Sequence, residues 1–274
     1  MEGDARVTSQ PQKSNDGWSS SIYIDGDYGL KNPSWHVEDS PWKATGIVRA
    51  LASLPQAPRA ICDVGCGAGE ILRQLEIRLG SGTVELVGYD ISPQAIALAR
   101  SREGQRLKFV LGNANSDGRH FDVLIGIDVI EHIEDLFGFL NSIRHKADYF
   151  IFHIPLELNC ESLLRNFVME NRRVYGHLHQ FTRDTARATL EDCGYTVIHD
   201  FYTHGYEQMP DNLHTRFTKS VRRMMFRVLP GFSRKLINGS SLMVICRSSE
   251  LGHSASGDAV ELPADRRLSH GSGP

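Results

Sequence analysis

The stretch ICDVGCGAGEIL, residues 61–72, places Gly65, Gly67 and Gly69 in the turn between an apolar run and a helical pattern, with Asp63 before them and Glu70 after. Glycine turns that join a strand to a helix bring the backbone close to a ligand at the helix N-terminus, and many of them hold a phosphate. The spacing here is G-x-G-x-G. A dinucleotide fingerprint, G-x-G-x-x-G, needs its third glycine at position 70, and that residue is Glu70. A carboxylate at the helix mouth repels a pyrophosphate, and Asp63 adds a second one. Negative charge at this place suits a cationic ligand. Asp90 closes the apolar run VELVGYD, 23 residues beyond Gly67, where a carboxylate can accept hydrogen bonds from both hydroxyls of a ribose.

A second set of residues could move protons. His132 follows the apolar run FDVLIGID, and a neutral imidazole there would serve as a general base. A helix-start histidine bonded to a backbone carbonyl is the competing reading. His177 and His179 alternate in GHLHQF; if that segment is extended they point the same way, either into a pocket or into solvent before Thr182. His153, at the end of DYFIFHIP, is a weaker candidate. Glu131 and His132 are adjacent, but two ligands are too few to specify a metal site, so no metal is expected. Cys66 has no basic sequence neighbour to lower its pKa and reads as packing.

Seven β-rich runs must position these groups: AICDVG (60–65), VELVGYD (84–90), LKFVLG (107–112), FDVLIGID (121–128), DYFIFHIP (148–155), YTVIHDFYT (195–203) and SLMVICR (241–247). Helical patterns separate them. Ser92-Pro93 reads as an N-cap with proline in the first turn, Thr182 as another cap, and Gly194 as the residue that stops the helix after it. Strands apolar on both faces, alternating with helices, imply an α/β fold, with a mainly parallel seven-stranded sheet covered on both sides and a ligand crevice at the carboxyl ends of its strands.

The 274 residues, 41% hydrophobic and 23% charged, suit one large domain with appendages. Residues 1–20 and 249–274 are poor in apolar side chains and are expected to be disordered tails around a domain at 21–248. Five cysteines at irregular spacing do not make a disulfide framework and read as reduced thiols. With neither a signal-peptide pattern nor an apolar run of about 18 residues, the expected location is cytoplasmic.

DVGCGAG resembles motif I of class I S-adenosylmethionine-dependent methyltransferases, D/E-x-G-x-G-x-G. That cofactor lacks phosphate and carries an ammonium and a sulfonium, which agrees with the charge argument. The resemblance continues through GIDVIEHIED, which is similar to the motif-IV region of small-molecule methyltransferases such as the ubiquinone-biosynthesis O-methyltransferases. It ends with GHLHQFTRDTARATLEDCGY, so that residues 40–203 are covered. The resemblance implies a Rossmann-like fold and S-adenosyl-L-methionine held by Asp63, Gly65, Cys66, Gly67 and Gly69. Asp63 would lie near the ammonium, Asp90 on the ribose and Ile91 on the adenine. Asn113 and Ala114 would meet the adenine edge, although many relatives have Asp at position 113, and Asp128 and Val129 would complete the set. The segment before motif I, 21–58, is implied to be a lid, with Trp35 and His36 closing the site and His36, His132 and His177 as catalytic candidates. The implied activity is methylation of a small-molecule acceptor, at oxygen first. N-methylation, an RNA or protein substrate, and a non-catalytic membrane-surface adaptor are the alternatives.

Within the expected insert 204–240, residues 216–235 hold seven cations, no acid occurs from 212 to 249, and the remainder of the chain carries −10 against a net charge of −3. Phe217, Val221, Met224, Met225, Val228 and Leu229 fall on one face of a single helix. Such a helix either packs on the domain with its arginines in solvent, or lies on an anionic membrane or an acidic acceptor. The acidic remainder, and the lack of an N-P-P-Y-type motif after the fourth strand, argue against nucleic acid as a partner.

Overall fold

The computed structural model describes residues 21–80, 82–205 and 213–249. The expected tail 1–20, all but the first residue of 249–274, and part of 204–240 lie outside them. The strands are β1 (Ala60–Val64), β2 (Glu85–Asp90), β3 (Leu107–Leu111), β4 (Phe121–Ile127), β5 (Ala147–Pro155), β6 (Tyr195–Thr203) and β7 (Ser241–Ser248). They form one sheet in the order β3-β2-β1-β4-β5-β7-β6. Pairings from β3 through β5 are parallel; β7 runs antiparallel to both β5 and β6.

The helices are α1 (Ser21–Ile24), α2 (Asp27–Lys31), α3 (Ser40–Leu51), α4 (Glu70–Leu79), α5 (Pro93–Ala99), α6 (Leu136–Ile143), α7 (Cys160–Leu164), α8 (Phe167–Val174), α9 (Arg183–Asp192), α10 (Leu213–Val228) and α11 (Pro230–Leu236). The central strands carry apolar side chains on both faces because both faces are covered. Cys62, Val64, Leu124, Phe150 and Phe152 pack with Leu140 of α6 and Leu190 of α9, while Ile61, Val123, Ile125 and Ile151 pack with Ile47 of α3 and Leu72 of α4. Strand order reverses between β1 and β4, so their carboxyl ends flank a crevice. The glycine turn leaves β1 there, and Asp128 leaves β4.

Local punctuation matches the sequence closely. Ser92 Oγ accepts the Ala95 N–H, Thr182 and Thr185 form a reciprocal capping box, and Gly194 sits at φ 79 after α9. Asp39 differs. It precedes α3 but makes no side-chain cap; its carboxylate instead takes the Trp42 indole N–H and pairs with Lys43.

The single helix expected over 216–235 is two helices, broken between Val228 and Pro230. Proline lacks the N–H needed to continue the ladder and holds Leu229 outside the α region, at φ −131 and ψ 63. The expected apolar face is also divided. Among the described side chains of this segment Phe226 is the buried apolar one, ring-packed on His204, whereas Met224, Val228 and Leu229 are exposed; the side chain of Phe217 lies outside those described. Among the described residues no helix is long and apolar enough to cross a membrane.

Candidate functional site

Gly65, Gly67 and Gly69 all adopt positive φ, at 71°, 54° and 81°. The turn therefore requires a left-handed backbone at alternate positions, which explains the G-x-G-x-G spacing. Their roles differ. A Cβ on Gly65 would fall 2.6 Å from Val129, and one on Gly69 would fall 2.4 Å from the Phe109 ring, so both make room for the protein itself. A Cβ on Gly67 would meet only Trp35, at 3.9 Å, across open space. That space is a cavity of about 330 Å³, within the range of small-molecule sites. Gly65, Cys66, Gly67, Asp90, Ile91, Asp128 and Val129 line it; Asp63, Gly69, Asn113 and Ala114 do not.

The two carboxylates expected at the cofactor part company. Asp90 lines the cavity, with one oxygen accepting the Gly67 N–H and the other the Ser92 N–H, both at 2.8 Å. Each oxygen keeps a lone pair for a ligand. Burial raises its pKa against the lowering effect of the Ser92, Gly67 and Ile91 backbone donors. Asp63 is fully buried behind the turn, with neither oxygen hydrogen-bonded, and burial and Asp90 drive its pKa well up. Asp63, expected near an ammonium, thus lies outside the cavity lining, behind the Gly65–Cys66 backbone that bonds the Tyr89 carbonyl. Glu70 does line the cavity mouth, but its carboxylate is paired with Arg102 at 2.8 Å, so its charge repels a pyrophosphate less than the sequence implies. Asn113 spends its side-chain oxygen on the Asn115 N–H, capping a short turn outside the cavity wall.

Residues from the N-terminal segment roof the cavity. Trp35 and His36 line it as expected, both in the left-handed region at φ 50 and 56, and Tyr28 packs its ring 5.0 Å from Trp35. Lys43 enters from α3 and meets Asp128 at 2.8 Å. Burial works against its charge, but Asp128 and Asp39 outweigh that and raise its pKa; Lys43 and His153 together hold the Asp128 carboxyl far below the usual range, in spite of its burial. Asp128 itself sits at φ 54. His153 is thus a brace, bridging Asp128 and the Thr203 hydroxyl, and does not face the cavity.

Beyond Asp128 the chain makes a 3₁₀ turn, Ile130–His132, and three groups converge on the cavity. The nearest ligand atoms of Glu131, His132 and His177 lie within 4.8 Å of one another. His132 Nδ1 bonds the Tyr23 hydroxyl at 2.8 Å, and that hydroxyl donates to the Tyr175 carbonyl. Tyr23 has one proton to give, so the chain runs from His132 Nδ1–H through Tyr23 to Tyr175, and Nε2 is left as an acceptor. His177 Nδ1 donates to Glu157 at 2.9 Å, and Glu157 is in turn held by Asn171. Its Nε2 is likewise free to accept. Burial and His177 push the His132 imidazolium down to about 3. Burial, with Asp128 and Glu157 nearby, drives the Glu131 carboxyl well up, and neither of its oxygens has a hydrogen-bond partner. The imidazole nitrogens of His132 and His177 and the Glu131 carboxyl are groups that can accept or share a proton. The same three groups also have a spacing that could hold a cation: His177 supplies the third ligand atom that the adjacent pair Glu131 and His132 lacked when the sequence alone argued against a metal.

His179 does not join them. Its Nε2 bonds the Ile133 carbonyl, and the backbone N–H groups of Leu178 and His179 both bond to the Glu131 carbonyl, which kinks the segment and separates the two histidines. Cys66 is buried, with its thiol pKa driven up by burial, as expected of packing. Sequence reasoning missed Lys43, Tyr23 and Glu157. Lys43 had a faint signal as a lysine on the apolar stripe of α3 shared with Ile47; Glu157 and Tyr23 had none, since their partners are distant in sequence.

A seven-stranded sheet of this order, with a glycine turn after β1 and a ribose-type carboxylate after β2, is the class I S-adenosylmethionine-dependent methyltransferase architecture. Residues 40–200 match the methyltransferase-domain family, and the chain belongs to it. A ubiquinone biosynthesis O-methyltransferase of Cereibacter sphaeroides is 32% identical over 99 residues, 34% of this chain and 38% of that protein, so the match spans well under half of the relative. Among solved structures, a Haloferax volcanii methyltransferase in complex with the Trm112 methyltransferase activator has a TM-score of 0.56 at 18% identity, covering 84% of this chain and 97% of that one. An N-methyltransferase of Bradyrhizobium japonicum bound to S-adenosyl-L-homocysteine has a TM-score of 0.54 at 15% identity, covering 84% and 99%. The cofactor is S-adenosylmethionine, and the cavity fits it: Gly67 leaves the cradle open, Asp90 keeps lone pairs for a diol, and Ile91 offers an apolar wall.

Proposed function

We propose that the protein methylates a hydroxyl oxygen of a small-molecule acceptor. The observation that carries this reading is the pair of acceptor nitrogens, His132 Nε2 and His177 Nε2, beside buried Glu131 in the cavity that the glycine turn opens into. A neutral amine needs no base before it attacks, whereas a hydroxyl benefits from one. The partial match to ubiquinone-biosynthesis O-methyltransferases points the same way.

Bound S-adenosylmethionine supplies an already electrophilic methyl group, so the chain's task is to align the acceptor, take its proton and exclude water. In this reading Asp90 and Ile91 hold the nucleoside end, and Lys43, which lines the cavity while paired with Asp128, faces the methionine carboxylate. Asp128 and Val129 shape the floor. Tyr23, Tyr28, Trp35 and His36 roof the acceptor, so that 21–58 serves as the lid of a catalytic unit at 21–248. His177, oriented by Glu157, takes the acceptor proton; His132, pinned by Tyr23, completes the cluster. His36, whose pKa is lowered by burial and by Lys43, contributes a neutral wall. The five free thiols suit a reducing, cytoplasmic setting.

Calorimetry with S-adenosylhomocysteine tests the cofactor half of this reading: micromolar binding is expected, with at least a hundredfold loss in Gly67→Val, and no binding to the wild type would end the proposal. Methyl transfer from labelled cofactor to a panel of phenols, alcohols and amines tests the rest. Turnover confined to amines would replace O-methylation with N-methylation.

A further inference from the structure

Helices α10 and α11 sort their side chains into two sets. One set fastens the pair to the domain: Lys219 and Phe226 are buried, and Arg222 donates to the Asn238 carbonyl at 2.7 Å and pairs with Glu161. Ser233 donates to the Met225 carbonyl. The other set faces outward. Met224, Val228, Leu229 and Phe232 are 62%, 66%, 57% and 58% exposed, and Arg223, Arg227 and Lys235 lie exposed among them.

Single exposed apolar residues are ordinary in a folded protein, but four large ones interleaved with cations on a short helical pair mark an interaction surface. The segment 213–249 itself contains no acidic residue, so the face is basic in its own composition. The pattern also selects the occupant. A nucleic acid would satisfy the cations and leave the apolar side chains in water. A second copy packed symmetrically on this face would bring Arg227 and Lys235 near their own equivalents. A bilayer with acidic headgroups satisfies both, with charge at its surface and hydrocarbon just beneath. The helices stand at the cavity's end of the sheet, since the Leu156 N–H bonds the Ser240 carbonyl and neighbouring Pro155 lines the cavity.

We propose that the α10–α11 face docks on anionic lipid bilayers, with Met224, Val228, Leu229 and Phe232 entering the headgroup layer and Arg223, Arg227 and Lys235 meeting acidic headgroups. This inference does not depend on which acceptor is methylated. Flotation of the full chain with phosphatidylcholine vesicles, with or without about one-third phosphatidylglycerol, tests it. Binding is expected to the anionic vesicles alone and to weaken in high salt. On a scale of about 1 kcal/mol for each surface cation, the double variant Arg227→Ala/Lys235→Ala should partition at least tenfold more weakly. Val228→Ser/Phe232→Ser should lose the part of the binding that survives high salt. Retained S-adenosylhomocysteine binding in both variants shows that they fold, and keeps failure here separate from failure of the cofactor reading. Absence of wild-type flotation, or flotation unchanged in both variants, overturns the proposal. So does sedimentation showing that the variants abolish a dimer, or salt-dependent RNA binding that anionic vesicles do not displace.

Discussion

The two halves of the cavity are built differently. The cofactor half comes from one turn and one strand end: Gly65 to Gly69 follow β1, and Asp90 and Ile91 follow β2, the neighbouring strand. The other half, to which the proposed function gives proton handling, is gathered from four places, with Tyr23 from α1, Glu131 and His132 after β4, Glu157 after β5 and His177 before α9. Local construction leaves a spacing in the sequence that survives any change elsewhere. Distributed construction leaves only scattered polar residues, each of which has an ordinary explanation until the fold brings it to its partner.

Lys43 and Asp128 join the two halves, and breaking that pair should have the largest effect. Lys43→Met leaves the Asp128 carboxylate with His153 as its remaining partner in a buried setting, beside the Val129 that packs on Gly65. Removing one member of a buried pair costs roughly 3 to 5 kcal/mol, and the partial exposure of Asp128 places this case at the lower end. Denaturant unfolding should show that loss, and S-adenosylhomocysteine affinity should fall with it. A variant as stable as the wild type would mean that the halves are not coupled through this pair.

The proton-handling half can be tested without knowing the acceptor. With its pKa lowered from 6.5 to about 3, His132 favours the folded state fully above the unfolded pKa, and that contribution is lost as pH falls from about 6.5 toward 3, because the unfolded chain takes up the proton first. Glu131 acts with the opposite sign: its raised pKa favours the fold at low pH, and this contribution is lost as pH rises above the ordinary carboxylate value. The difference between wild type and His132→Asn isolates the histidine. Over that range the wild type should lose roughly 4 kcal/mol more than the variant. Parallel stability curves for the two proteins would show that His132 is not held neutral.

Within the glycine turn the comparison sharpens to single residues. Gly69→Ala drives a Cβ into Phe109 and holds alanine at φ 81; overpacking and left-handed strain together should cost roughly 2 to 4 kcal/mol. Gly67→Ala bears only the strain, about 1 kcal/mol, but should lose more cofactor affinity than Gly69→Ala. Thermal unfolding and calorimetry on the two variants separate a glycine needed by the protein from one needed by the ligand. Equal losses in both measurements would erase that distinction.

The fold was legible because its signals are local. Strand ends fall within a residue or so of the expected ones, and Ser92, Thr182 and Gly194 act where their chemistry suggests. The site was half legible. Gly67, Asp90, Ile91, Asp128, Trp35, His36, His132 and His177 reach the cavity. Where the sequence left alternatives open, tertiary partners decide: His153 is claimed by Asp128 and Thr203 and His179 by the Ile133 carbonyl, while the single helix expected over 216–235 is broken at Pro230 and turned by Phe226 packing on His204. No periodicity argument could have found Glu157, which acts only through a histidine 20 residues further along.

The smallest expected effect concerns the residue whose motif position and surroundings disagree most. Asp63 opens the motif-I signature, yet both its oxygens are buried without a donor, and burial with Asp90 nearby favours the neutral acid. A protonated carboxyl and a carboxamide have nearly the same shape and neither carries charge, so Asp63→Asn should change stability by less than about 1 kcal/mol and cofactor affinity by less than about threefold. If Asp63 were instead ionised and acting on the cofactor's ammonium through the turn, the same substitution should weaken binding by tenfold or more, and increasingly so at higher pH. The pH dependence of S-adenosylhomocysteine affinity in the two proteins therefore decides whether this acid supports the turn as a neutral group or acts as a charge behind it.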